Sequence, residues 1–165
     1  MSTLSLSLVV SLLVMPVASD MPTVEEMSLI QAINKQRKRV GKRPLLPNPA
    51  LCKLARQEVE IALTDREKAK GRDQRLKDSG LVDHGKSVLV FAGDNRKGLI
   101  RQLKRHKLFI QRVRQDFDSV AAGVFKVPSD PPFLQAMVIF VKPAPVDPCG
   151  GRTGLVQSQV DPVQQ

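Results

Sequence analysis

The residues able to do acid–base, metal or nucleophilic chemistry are few in this 165-residue chain. There are two histidines, His84 and His106, and two cysteines, Cys52 and Cys149. Neutral imidazole and thiolate are the usual ligands of transition metals. Two Cys roughly a hundred residues apart fit neither a zinc cluster nor a Cys-x-x-Cys redox pair. The sequence holds no Gly-x-Ser-x-Gly elbow, no His-Glu-x-x-His helix and no glycine-rich phosphate loop. Neither Cys has a His nearby in sequence to activate it. These patterns argue against catalysis and against a bound cofactor. Trp and Tyr are absent and all six Phe lie at Phe91 or beyond. An aromatic stacking platform, and with it specific nucleic-acid binding, is therefore not expected.

The plentiful chemistry is positive charge. Lys and Arg total 26 against 16 Asp and Glu, a formal charge of +10. Lys35–Arg43 holds Lys35, Arg37, Lys38, Arg39, Lys42 and Arg43. Arg96–Arg114 adds Arg96, Lys97, Arg101, Lys104, Arg105, Lys107, Arg112 and Arg114 without a carboxylate between them. Helical spacing puts Arg101, Lys104 and Arg105 on one face, with Lys97 four residues before Arg101. Such a face either keeps the protein soluble or draws in a polyanion, such as an anionic envelope polymer, an acidic lipid or extracellular nucleic acid.

Elements must position these cations. Val24, Met27, Ile30, Ile33 and Val40 recur at helical spacing after a capping Thr23, and Gly41 closes that helix. Asn48 and Pro49 open a second helix striped by Leu51, Leu54, Ala55, Val59 and Ala62. A short helical piece, Gln74–Ser79, ends at Gly80. Ser87–Ala92 reads as a buried strand and Lys97–Arg114 as one basic helix. Val120–Val127 and Phe133–Lys142 flank the turn cluster Pro128–Pro132 and read as an antiparallel hairpin. Residues 143–165 carry four Pro and three Gly and read as a loose C-terminal tail. The apolar content, 42%, suffices for one core in one domain, and helices followed by strands give an α+β class.

The N-terminus reads as an address. Leu4–Ala18 is apolar or small, with no charge before Asp20, and as a helix would span only about 22 Å of a ~30 Å bilayer core. Val17-Ala18-Ser19 fits the signal-peptidase rule. Residues 1–19 are therefore expected to be a cleaved signal peptide, and the protein secreted or periplasmic. The stretch lacks an N-terminal Lys or Arg, which leaves open an uncleaved anchor or a buried first strand; in the soluble form any membrane contact would be peripheral. Export would let Cys52 and Cys149 form a disulfide worth at most about 4–5 kcal/mol. The alternative is a buried Cys52 and a free Cys149 in the tail.

A family resemblance joins these pieces. Asn34, Arg37, Gly41, Pro44, Leu45, Asn48, Ala50, Leu51 and Ala55 resemble, without gaps, the opening of the CAP superfamily domain of cysteine-rich secretory proteins, antigen 5 and pathogenesis-related proteins. Gln74–Leu81, Gly93-Asp94-Asn95, Phe117–Gly123 and Phe133–Phe140 resemble later motifs of the same domain in order. The resemblance implies an α-β-α sandwich with a small antiparallel sheet over residues 20–142. It also locates the cleft where many members gather two His and two Glu, some around a metal. Here Asp94 stands for one Glu, Leu99–Arg105 supplies no carboxylate, and Pro131 and Pro132 occupy the place of one His. Only His84 and Asp94 remain as weak metal candidates, and a lone solvated His84 is the simpler reading. The expectation is a non-catalytic domain that binds a ligand or an anionic surface; a degenerate metal-dependent hydrolase on His84 and Asp94 is the alternative. Some members bind lipids or sterols, but no residue here specifies one.

Overall fold

The computed structural model describes residues 21–82 and 85–142. The signal-like stretch, His84, and the tail with Cys149 lie outside the described residues.

Local signals set the helix ends. Helix α1 (Val24–Arg39) opens with a capping box. The Thr23 hydroxyl accepts the Glu26 N–H at 3.3 Å while the Glu26 carboxylate accepts the Thr23 N–H at 2.8 Å, satisfying two donors that a helix start leaves unpaired. At its other end Lys42 N–H bonds Arg37 O at 3.0 Å and Gly41 N–H bonds Lys38 O at 3.2 Å. That closure needs a left-handed residue, and Gly41 supplies it with φ of 72°. After a two-residue strand β1 (Leu46–Pro47), Asn48 caps α2 (Pro49–Thr64) by accepting the Leu51 N–H at 3.0 Å. The charged stretch beyond forms two short helices rather than one: α3 (Arg66–Lys70), capped by Asp65, and α4 (Arg72–Asp78).

The second half runs β2 (Lys86–Gly93), α5 (Arg96–Arg105), α6 (Lys107–Arg112), β3 (Ser119–Val127) and β4 (Phe133–Val141). The sheet order is β1-β3-β4-β2. Strand β4 is antiparallel to both β2 and β3, with Val127 opposite Phe133 across the 128–132 turn. Strand β1 pairs parallel to β3 through Leu46 and Pro47, so the sheet is mixed rather than purely antiparallel. Two residues, one of them Pro, carry no strand periodicity, and an edge is where a sheet tolerates Pro.

The single basic helix expected over Lys97–Arg114 is broken at His106, whose ψ of 119° is extended. The reason is the core. Leu99 and Leu103 are buried on α5, and Phe109 and Val113 are buried further on. One continuous helix would turn His106 and Lys107 toward the core after Leu103 and Phe109 away from it; the break brings Phe109 and Val113 inward instead.

Helix α2 packs across β3 and β4, α1 against β3, and α5 and α6 against β2, while α1 also touches α5. Ala136–Phe140 are buried in unbroken succession, which requires cover on both faces of the sheet. The architecture is an α+β sandwich. Gly123 lets α2 lie directly on β3, because a Cβ there would fall into the backbone of Ala55 and Arg56. The outer edge of β3 is occupied too: Val120 O accepts the Asn48 N–H at 3.1 Å, and the Val124 N–H donates to Glu26 at 3.2 Å.

Candidate anion-binding groove

The motif residues on α1 face inward. Asn34 donates from Nδ2 to Leu45 O at 2.9 Å and accepts the Leu45 N–H at 2.8 Å. Arg37 is buried and donates to Arg43 O at 2.8 Å, Val113 O at 3.2 Å and Gln115 O at 2.9 Å. Burial pulls its guanidinium below the ordinary value, with Asp116 opposing. These two side chains replace water for five backbone groups of irregular segments and thereby fix the loop that carries exposed Pro44.

With Asn34 and Arg37 turned in, the opposite side of α1 is free to meet α5. A groove of about 500 Å³ runs between the two helices. Lys35 and Arg39, one turn apart, line it from α1; Arg96, Lys97 and Lys104 line it from α5, with Ile100 between them. No Asp or Glu lines it. None of the five cations forms an ion pair with any described residue, and Arg39 makes only a 3.4 Å bond to Gln36. Arg96 and Lys97 occupy the first turn of α5, which has no acidic residue. Cations at that positive dipole end cost roughly 0.3–1 kcal/mol each, a cost that the Asp94 carboxylate just ahead of the helix offsets in part.

The structure splits the basic face read from helical spacing. Lys97 and Lys104 line the groove, whereas Arg101 and Arg105 are exposed on α5 outside it. Lys35, Arg39 and Arg96 join instead. Runs along the chain showed all five, but only the packing of α1 on α5 brings them together.

Of the weak metal candidates, His84 lies outside the described residues. The Asp94 carboxylate is exposed; it accepts the Asn95 N–H at 3.0 Å and lies over Gly98. Asn95 caps α5 by accepting the Gly98 N–H at 2.9 Å, and Gly93 lies against the α5 backbone at Leu99. Among the described residues no three His, Cys, Asp or Glu converge as metal ligands. Cys52 is buried in the core, where burial pushes its thiol up, and has no disulfide partner among the described residues.

No protein-family model matches the chain, and no curated protein does. Among solved structures, the chain is similar to a cysteine-rich secretory protein from Staphylococcus aureus subsp. aureus Mu50. The two share 18% identity and a TM-score of 0.54, over 72% of this chain and 38% of that one. The fold is CAP-like. This chain spans well under half of that protein's length, and at such identity the likeness concerns the fold. The groove between α1 and α5 is thus a feature of a CAP-like scaffold described by this chain's own residues.

Sequence reasoning also missed two carboxylates inside the scaffold. Glu26 on α1 is fully buried and takes both a 2.7 Å and a 3.1 Å bond from Arg56 on α2. Glu58, also buried, takes 2.7 Å and 2.6 Å bonds from Arg75 on α4. Both pairs are forked, the geometry in which Arg and carboxylate match best. They hold α1, α2 and α4 in register without touching the groove.

Proposed function

We propose that this domain is a secreted, non-catalytic CAP-like module that binds an anionic polymer or surface through the α1–α5 groove. One observation carries the reading: five cations from two helices line one groove with no carboxylate among them. Juxtaposing like charges costs folding energy, about 0.2–0.5 kcal/mol for each close pair, and a bound anion would turn that cost into affinity. Release of counterions from the anion would add an entropic gain that falls with salt. The signal-like residues 1–19 support export, which would bring the groove to anionic envelope material. The bonding of Asp94 to the start of α5 supports a structural role for it over a catalytic one.

The test is retention of the protein on immobilised polyphosphate across a salt series. Binding should be tight at low salt and lost by roughly 0.5 M. The double variant Lys35→Gln/Arg39→Gln should elute earlier and show a shallower salt slope, with a thermal midpoint no lower than that of the wild type, since it relieves like-charge repulsion. Retention that ignores salt would refute the reading.

A further inference from the structure

Only one edge of the sheet is closed. The outer side of β3 is taken by β1, Asn48 and Glu26, whereas β2 is the last strand at the other end. Among the described residues, no backbone group of Lys86–Gly93 bonds anything but β4. In an antiparallel ladder roughly half of an edge strand's N–H and C=O groups point outward, and a row of them is a template for another strand. Proteins blunt such edges with Lys, Pro or a bulge. Strand β2 has none of these along Ser87–Gly93: it carries no charge and no Pro there, and its register with β4 runs unbroken from Lys86 to Gly93. Its side chains are only half covered. Helix α5 lies over the face shared by Leu89 and Gly93, while Val90 on the other face is 39% exposed and Ala92 is exposed.

We propose that this edge pairs with the same edge of a second copy, joining two four-stranded sheets into one through an antiparallel β2–β2 ladder. Opposite residues of an antiparallel pair share a face, so a strand that pairs with itself must place one residue opposite its own copy. Centring the ladder on Val90 uses the whole strand. Val90 then faces Val90, Leu89 faces Phe91, Val88 faces Ala92 and Ser87 faces Gly93, and Lys86 of one copy stands opposite Asp94 of the other. The exposed Val90 and Ala92 gain apolar neighbours. The two Lys86 are kept apart, and each is brought to a carboxylate at an end of the ladder. This self-complementary register favours a second copy over a foreign strand. The pairing also closes: with the outer side of β3 occupied, β2 is the one open edge among the described residues, so assembly stops at two. The anion-binding groove is a separate feature, since no residue of β2 lines it.

Sedimentation equilibrium of the full exported chain reads its mass from about 1 to 300 μM, the range of a small interface. The buffer holds about 0.5 M salt, which screens the repulsion between two chains of charge +10 to within roughly 5 Å. The same salt strips groove-bound anions that could bridge two copies. Wild type should approach twice the mass of one chain. Val90→Lys and Val90→Glu each put like charges face to face across the twofold and should weaken association at least about tenfold. An equimolar mixture of the two variants should associate again, because opposite charges then meet at that position. Leu46→Lys, on exposed β1 at the far end of the sheet, should behave as wild type. A wild type that stays monomeric throughout, a Val90 variant that dimerises alone as wild type does, or a mixture that stays monomeric would overturn the pairing.

Discussion

Replacing Arg56 by Met removes one half of a buried ion pair and leaves the other in place. The Glu26 carboxylate is fully buried and accepts two bonds from Arg56, one from the Thr23 N–H and one from the Val124 N–H. Arg56→Met strips the first two and keeps the backbone donors. Loss of one partner from a buried pair costs about 3–5 kcal/mol, because the remaining charge stays desolvated. The Arg56 side chain is 20% exposed, so some water can reach the vacated place and the lower end, ~3 kcal/mol, applies. With a urea dependence near 2 kcal/mol per molar, the unfolding midpoint should fall by about 1.5 M. Adding Glu26→Gln removes the stranded charge, so the double variant should be more stable than the sum of the single changes by about 1.5 kcal/mol or more. Urea titrations of the four proteins read this directly. A single-variant loss below ~0.5 kcal/mol, or strict additivity, would show that the pair does not join α1 to α2 as described.

Gly123→Ala places a methyl group inside the α2 backbone at Ala55 and Arg56. It should cost about 2–3 kcal/mol by overpacking, seen as a lower thermal midpoint; a neutral result would mean that α2 stands further from β3. Cys52 should resist alkylation in the native protein at pH 8, with labelling appearing only at the unfolding transition. Since burial raises its thiol above the ordinary value of 9.0, the stability it contributes is complete below that value and declines as pH rises through the raised one. Cys52→Ala should therefore flatten stability in the alkaline range, and an unchanged alkaline profile would contradict the buried thiol.

What the sequence made legible is local. Thr23, Gly41, Asn48 and Pro49 act on backbone within a turn of themselves, so the limits of α1 and α2 could be read from single residues. The β3–β4 hairpin was equally plain, because Val, Ile and Phe runs face each other across a Pro cluster. What escaped depends on distant partners. Strand β1 exists only because Asp118–Val120 lies beside it, and the break at His106 exists only because Phe109 and Val113 have a core to enter. Glu26 and Glu58 look like surface helix residues until Arg56 and Arg75 are seen to cover them. The groove is the same case: Lys35 and Arg39 stand about sixty residues from Arg96, Lys97 and Lys104, and a reading by runs and single-helix faces grouped Arg101 and Arg105 with the α5 cations instead.

Charge-matched variants test the central claim most directly. Arg96→Gln/Lys97→Gln/Lys104→Gln and Arg101→Gln/Arg105→Gln/Lys107→Gln each remove three positive charges, but only the first set lines the groove. Affinity for polyphosphate is measured at about 0.1 M salt, where exposed charges more than ~10 Å apart are largely screened from each other. The account predicts that the groove variant loses at least about tenfold more affinity than its charge-matched counterpart, as expected when specific contacts and not net charge alone hold the anion. Equal losses would contradict it and reduce the five cations to part of a uniformly positive surface.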